Sequence, residues 1–272
     1  MSQQRKGDLY TFIFAASICV VCALVLSLAA TALKPMQMEN ARHDVVVNMM
    51  STVGQDVAEL RKLPKDEIFA KFEEEFDTIL LNKDNEPVER GFMEDELLKL
   101  NYPKEELEQL DTGLLLARFN TKIGLLARKN DKSRSEYDPG LKVLYTYKEG
   151  GETSAYIVPI EGYGLWDLMK GYIALGLDLN TVKGITFYEH KETPGLGARV
   201  EEAWFKENFI GKKILDQGGD LVAITVVKGE APDDALHRVD GISGATLTGD
   251  GINEFLLRNL SVYEPYFKTL RN

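Results

Sequence analysis

The chain has 272 residues, 44% apolar, 28% charged and 9% aromatic, with 23 glycines and 9 prolines. That balance supports one or two domains with a buried core and excludes a wholly disordered, collagen-like or low-complexity chain. Lys and Arg number 32 against 43 Asp and Glu, a net of -11, a sign that repels phosphate backbones and anionic lipid and so argues against nucleic acid as a partner.

Taken in chain order, the first feature is Leu9–Leu33, 25 residues without a charge. That length suffices for a tilted helix across a hydrocarbon core of about 30 Å. Arg5 and Lys6 precede the run, Lys34 and Pro35 end it, and almost all of the acidity follows. Ala30-Thr31-Ala32 also reads as a small-x-small cleavage site, but the run exceeds the roughly 7–15 residues of a signal core, so a retained anchor is favoured. Arg5 and Lys6 on one side nearly balance Lys34 and Arg42 on the other. Anchor and leader alike place the bulk of the chain outside the cytoplasm. Cys19 and Cys22, the two cysteines, lie inside the run; a C-x-x-C spacing suits redox or metal chemistry, and small apolar residues facing lipid or a neighbouring helix suit it better. No disulfide framework follows from two cysteines.

Beyond the anchor, Val46, Met50, Val53, Val57 and Leu60 recur at helical spacing and predict a second, amphipathic helix. Phe69, Phe72, Phe76 and Ile79 predict another after Pro64, with Glu73, Glu74 and Glu75 as its solvated face. Asp95–Leu116, rich in Leu and Glu, reads as helical, and Asn130–Arg134 is a polar break that marks a boundary. From Leu141 the texture changes. Val143, Tyr145 and Tyr147 alternate, as do Ala155, Ile157 and Pro159, with Gly150-Gly151 between them, a hairpin signal. A helical stretch Trp166–Leu175, a strand Val182–Tyr188, a Gly-Pro loop, a helix through Val200 and Trp204, a strand Leu221–Val227 and an amphipathic helix carrying Ile252, Phe255, Leu256 and Leu260 follow. The pattern is α+β with a mostly antiparallel sheet. It divides into a short N-terminus 1–8, a transmembrane helix 9–33, a helical lead-in 34–134 and an α+β domain 135–272.

Three scattered histidines and no cysteine outside the apolar run make a zinc site of the usual kind untenable, and Walker, Rossmann and nucleophile-elbow patterns are absent from the sequence. Two segments carry the remaining signal. The first, Glu189–Gly197, follows a predicted strand; Gly195 and Gly197 flank Leu196, which lets backbone approach a flat ligand, although turn geometry alone accounts for the same residue types. The second, Asp240–Thr248, opens the last helix with the hydroxyls of Ser243, Thr246 and Thr248 around a helix N-terminus, where N–H groups and the macrodipole favour a phosphate; a plain helix cap explains them equally well.

These residues carry a resemblance. Asp240–Thr246 matches the D-G-x-S/T-G-A-T flavinylation motif of covalent FMN-binding domains, and Glu192–Gly197 matches the E-T-P-G-L-G loop of the same domains. Among those domains, Gly162–Trp166 through Asn180–Val182 resembles the NqrC family, which belongs to Na+-translocating NADH:quinone reductases, and the resemblance covers nearly the whole chain. His190-Lys191 also looks like the homologous component of the related Rnf complex, which exchanges electrons between ferredoxin and NAD. The resemblance implies FMN joined to Thr246 by a phosphoester and installed by a flavin transferase using FAD. Ser243 and the Gly244–Ala245 backbone would then shape the acceptor loop, and Asp240 would hold it or serve transferase recognition. Glu192, Thr193, Gly195, Leu196, Gly197 and Trp166 would pack near the isoalloxazine ring. The implied role is electron relay in a multi-subunit complex of the bacterial inner membrane, with NADH and ubiquinone handled by other subunits. The Rnf homologue, and a cofactor-free single-pass envelope binding protein, are the alternatives.

Overall fold

The computed structural model describes residues 2–99, 101, 103–107 and 140–271. The chain forms two compact units, 1–45 and 46–272. Helix α1 runs Ser2–Thr52, and within it the apolar run forms a helix long and apolar enough to cross a membrane. At 1.5 Å per residue, 25 residues reach about 37 Å. The sequence predicts two helices here, with Pro35 between them; the structure has one, with Pro35 inside it. The φ that proline imposes is itself helical, so its cost is a lost hydrogen bond and a local crowding that a long helix absorbs. The chain breaks after Thr52, where Val53 and Gly54 turn it, and α2 (Val57–Leu60) starts from an Asp56 cap whose Oδ1 accepts the Ala58 N–H at 2.6 Å.

Helix α3 (Lys65–Glu75) stops short of its expected end. Phe76 and Ile79, predicted as the helix's third and fourth apolar positions, lie in strand β1 (Phe76–Leu81). The backbone opens to φ -123 at Phe76, and β1 pairs antiparallel along its whole length with β3 (Lys142–Glu149). Non-local pairing overrides a helical spacing that was coincidental. β2 (Pro87–Val88), α4 (Arg90–Lys99) and α5 (Lys104–Leu107) complete this region. Of the predicted helix 95–116 the structure describes two helical pieces and residues 101 and 103 between them; residues 100, 102 and 108–116 and the polar break 130–134 lie outside the described residues.

One six-stranded antiparallel sheet runs in the order β2-β1-β3-β4-β5-β6, where β4 is Glu152–Tyr163, β5 Leu168–Leu175 and β6 Val182–Glu189. Its first two strands come from the 34–134 segment. The β3–β4 hairpin turns at Gly150 and Gly151, both at positive φ, as the primed turn of a two-residue hairpin requires. β5 corrects the helical reading of Trp166–Leu175. As a central strand buried on both faces it shows no alternation, so periodicity misses it. After β6 come a 3₁₀ helix (Gly197–Glu201) and α6 (Ala203–Glu207) in place of one longer helix. The expected strand 221–227 contracts to β7 (Thr225–Val226), which pairs in parallel with β8 (Arg238–Val239). Helix α7 (Thr246–Arg271) then crosses one face of the sheet. Its Ile252, Phe255, Leu256, Leu260 and Phe267 bury against Val158, Ile160, Ile173, Ile185 and Phe187, and Tyr263 donates to the Val143 carbonyl at 2.8 Å. On the other face, Thr52 meets Thr186 of β6, hydroxyl to hydroxyl at 2.9 Å, beside stacked Tyr172 and Tyr188.

Candidate functional site

The start of the segment Asp240–Thr246 is held against the Val227–Gly229 backbone. β7 and β8 continue past their two-residue ladder: Val227 N–H donates to Val239 O at 2.9 Å, and Gly241 N–H donates to Gly229 O at 2.7 Å. Asp240 Oδ1 accepts the Ala231 N–H at 2.7 Å, so this side chain clamps the 229–231 turn against the motif. Asn253, in the body of α7, takes the Val226 N–H at 2.6 Å and donates to the Val226 carbonyl at 3.0 Å, which pins β7 to the helix. The start of α7 thereby faces the Lys228–Glu230 turn across a cleft of ≈ 520 Å³, lined also by Trp204 and Asp250. Asp240, Ser243, Gly244, Ala245 and Thr246 all line this cleft.

The three hydroxyls that the sequence leaves in competition separate by burial. Thr248 is 1% exposed, and its hydroxyl donates to Glu192 Oε2 at 2.6 Å. Ser243 and Thr246 are exposed. Thr246 is the first residue of α7, and the N–H groups of a first helical turn have no partner inside the helix. An anion there meets those donors and the positive end of the macrodipole together.

The second predicted segment forms an adjoining rim rather than the cleft wall. Trp166, Glu192, Thr193, Gly195, Leu196 and Gly197 lie outside the cleft's lining, but two contacts join them to it. Leu196 lies 2.9 Å from where a Cβ on Gly244 would stand, and Glu192 reaches α7 through Thr248. Glu192 is only 5% exposed. Its Oε1 accepts the Trp166 backbone N–H at 3.0 Å, and the Trp166 indole donates to Thr193 at 3.1 Å. His190 Nδ1 accepts the Glu192 N–H at 3.2 Å, with Glu201 at 2.9 Å from its Nε2. A hydrogen bond between Lys191 and Asp167 ties the same two loops at the surface; it holds the Asp167 carboxyl below the usual range and the lysine above it. Gly195 adopts φ +75 in open space, so turn geometry sets its need for glycine. Leu165, Trp166, Leu196 and Leu247 are all more than 40% exposed, an unusual amount of apolar surface beside one loop.

The cleft also contains residues that sequence reasoning passes over as site residues: Trp204, Val226–Glu230 and Asp250. Trp204 donates from its indole to Glu202 and lies under the Arg199 guanidinium at 5.1 Å. The parallel β7–β8 pairing that brings the 228–230 turn to the motif is a tertiary fact.

The FMN-binding domain family profile matches residues 164–261, which spans both rim and cleft. The NqrC protein of the Na+-translocating NADH-quinone reductase from Vibrio campbellii is 34% identical over 94% of this chain and 92% of its own. Its counterpart from Pseudomonas aeruginosa is 31% identical over 93% and 91%. Among solved structures, the NqrC of Parabacteroides distasonis superposes with a TM-score of 0.61 at 26% identity, covering 86% of this chain and 96% of that one. By its sequence over nearly its full length, the chain belongs to the NqrC family of the Na+-translocating NADH-quinone reductases, part of an oxidoreductase complex.

Proposed function

We propose that this chain carries FMN as a phosphoester on Thr246 and relays electrons between neighbouring subunits of a Na+-translocating NADH:ubiquinone reductase. The observation that carries the reading is the exposed Thr246 at the N-terminus of α7, on a ≈ 520 Å³ cleft, while Thr248 is buried and bonded to Glu192. The residues present fit the group. Backbone N–H groups of the first turn and Lys228 suit a phosphate, and the exposed Trp166, Leu196 and Leu247 offer apolar surface to a flat ring. FMN so held would supply one-electron and two-electron transfer. The protein's part is to fix the group, exclude water from one side of it and tune it by burial and hydrogen bonding.

A threonine hydroxyl is a weak nucleophile, so the attachment calls for a flavin transferase. In that transfer the Thr246 oxygen would bond to the flavin-side phosphorus of FAD as its P–O–P link breaks, and the hydroxyl proton would leave with AMP. Asp240 and Ser243 present the acceptor loop, and Gly244 lets Leu196 close over it. NADH and ubiquinone belong to other subunits in this reading. The anchor at 9–33 is retained in a bacterial inner membrane as a single pass, with the flavin-bearing region 135–272 outside the cytoplasm. The lead-in 34–134 lends two strands to its sheet. Expression with a flavin transferase and FAD tests the reading. The wild-type band fluoresces on a denaturing gel, and Thr246→Val is dark while equally folded. A wild-type chain that stays colourless under those conditions contradicts the proposal and leaves a cofactor-free binding role.

A further inference from the structure

The buried carboxylate of Glu192 draws together three segments far apart in sequence. Its own loop follows β6. Its Oε1 accepts the N–H of Trp166 from the β4–β5 turn, and its Oε2 accepts the hydroxyl of Thr248 from the first turn of α7. Two glycines make room for it: a Cβ on Gly164 would stand 2.5 Å from Oε1, and a Cβ on Gly197 would stand 2.5 Å from Oε2. Both oxygens act as acceptors, and burying a polar side chain is costly unless it is so bonded. A carboxylate 5% exposed, with two glycines emptied around it, is more than a loop needs in order to turn. Thr248 stands two residues after Thr246, so whatever holds Thr248 fixes how the helix start presents the Thr246 hydroxyl. The same carboxylate fixes the backbone that carries the exposed Trp166 ring.

We propose that Glu192 is a positioning residue: through Thr248 and Trp166 it sets the acceptor threonine and the aromatic rim in register for the flavin, without touching the flavin itself. The inference rests on Thr246 being the flavin carrier. Glutamine at 192 separates a positioning role from a need for the charge, because its amide oxygen can take the Trp166 N–H while its NH₂ donates to the Thr248 hydroxyl, which can also accept.

The test uses the full-length membrane protein with a flavin transferase and FAD, and follows in-gel flavin fluorescence over time together with flavin anisotropy of the labelled product. Relative to wild type, Glu192→Ala is labelled about tenfold more slowly or worse, the scale of loss expected from a misplaced reacting group. Whatever flavin it carries has lower anisotropy. Thr248→Val, nearly isosteric and leaving Glu192 in place, shifts both readouts in the same direction, and the double variant is no worse than the poorer single one. Glu192→Gln restores rate and anisotropy towards wild type. Wild-type rate and anisotropy in folded Thr248→Val and Glu192→Ala overturn the proposal, as does a Glu192→Gln protein that folds and yet labels as poorly as Glu192→Ala. If Glu192→Ala fails to fold, Thr248→Val decides. A wild-type chain that takes up no flavin overturns the parent reading instead, which keeps the two failures apart.

Discussion

At Gly195 and Gly197 the same residue type serves two different ends, and substitution separates them. Gly195 adopts φ +75 with nothing near a prospective Cβ, so Gly195→Ala meets only backbone strain, about 1 kcal/mol. Gly197 is buried, and a Cβ there runs into Glu192 Oε2 at 2.5 Å and Thr248 Oγ1 at 2.7 Å. Gly197→Ala therefore costs more, about 1–3 kcal/mol, and disturbs the start of α7 as well. Thermal unfolding of the two variants side by side checks the order; equal losses would show that the contact with Glu192 is not limiting. The sequence shows both glycines but not this division, because it places Glu192 shortly before Gly197 and leaves its carboxylate to point anywhere. Likewise the residue chemistry alone leaves Ser243, Thr246 and Thr248 side by side at a helix start, and only the motif resemblance prefers Thr246. The structure adds that the Thr248 hydroxyl is engaged, bonded at 2.6 Å to a glutamate 56 residues away.

Elements whose signal is local were legible. The Gly-Gly hairpin, the strand through Val182–Tyr188 and the apolar stripe of α7 all stand where residue spacing puts them. Elements decided by tertiary pairing were not. β5 is buried on both faces and mimics a helix, β1 borrows two phenylalanine-spaced positions from a helical pattern, and α1 carries straight through a proline. β6 makes a sharper prediction because its two faces differ. Phe187 enters the core, while Tyr188 stacks on Tyr172 at 5.3 Å between centroids, and burial pushes the Tyr188 hydroxyl up to about 12, with the hydrogen bond to Tyr172 pulling the other way. A folded-state value above the unfolded value near 10 stabilises the protein fully below that pH, and the contribution is lost as pH climbs from there towards 12. Burial raises Tyr263 in the same sense. Stability thus falls steeply above about pH 10, and Tyr188→Phe flattens that fall by up to ~2 kcal/mol between about pH 10 and 12. Chemical denaturation across that range reads it; an unchanged slope in the variant would place the alkaline loss elsewhere. On the core face, Phe255→Ala costs about 3–5 kcal/mol, since its side chain is 1% exposed between α7 and the sheet.

Over the whole molecule, a long apolar helix and a strongly acidic unit share one chain, and the site is made from the far end of the sequence. An uncharged run of 25 residues stands near the N-terminus, and the family match at 164–261 contains both the rim and the Asp240–Thr246 segment. On the proposed topology, an anchor retained and a domain outside the cytoplasm, protease added to intact spheroplasts is expected to digest the region after Lys34, whereas protection there would reverse the orientation. The division of labour follows from the same layout: strands from the lead-in extend the sheet at the edge away from β6, while the 226–230 segment and the start of α7 build the cleft and the loop after β6 and the β4–β5 turn build its rim. Whether Thr246 carries the flavin is read most directly by peptide mass mapping of the chain after expression with a flavin transferase and FAD. The peptide containing Thr246 is predicted to gain the mass of FMN less one water, with fragmentation placing it on Thr246; the same mass on Ser243 or Thr248, or an unmodified peptide from a yellow protein, would contradict the assignment.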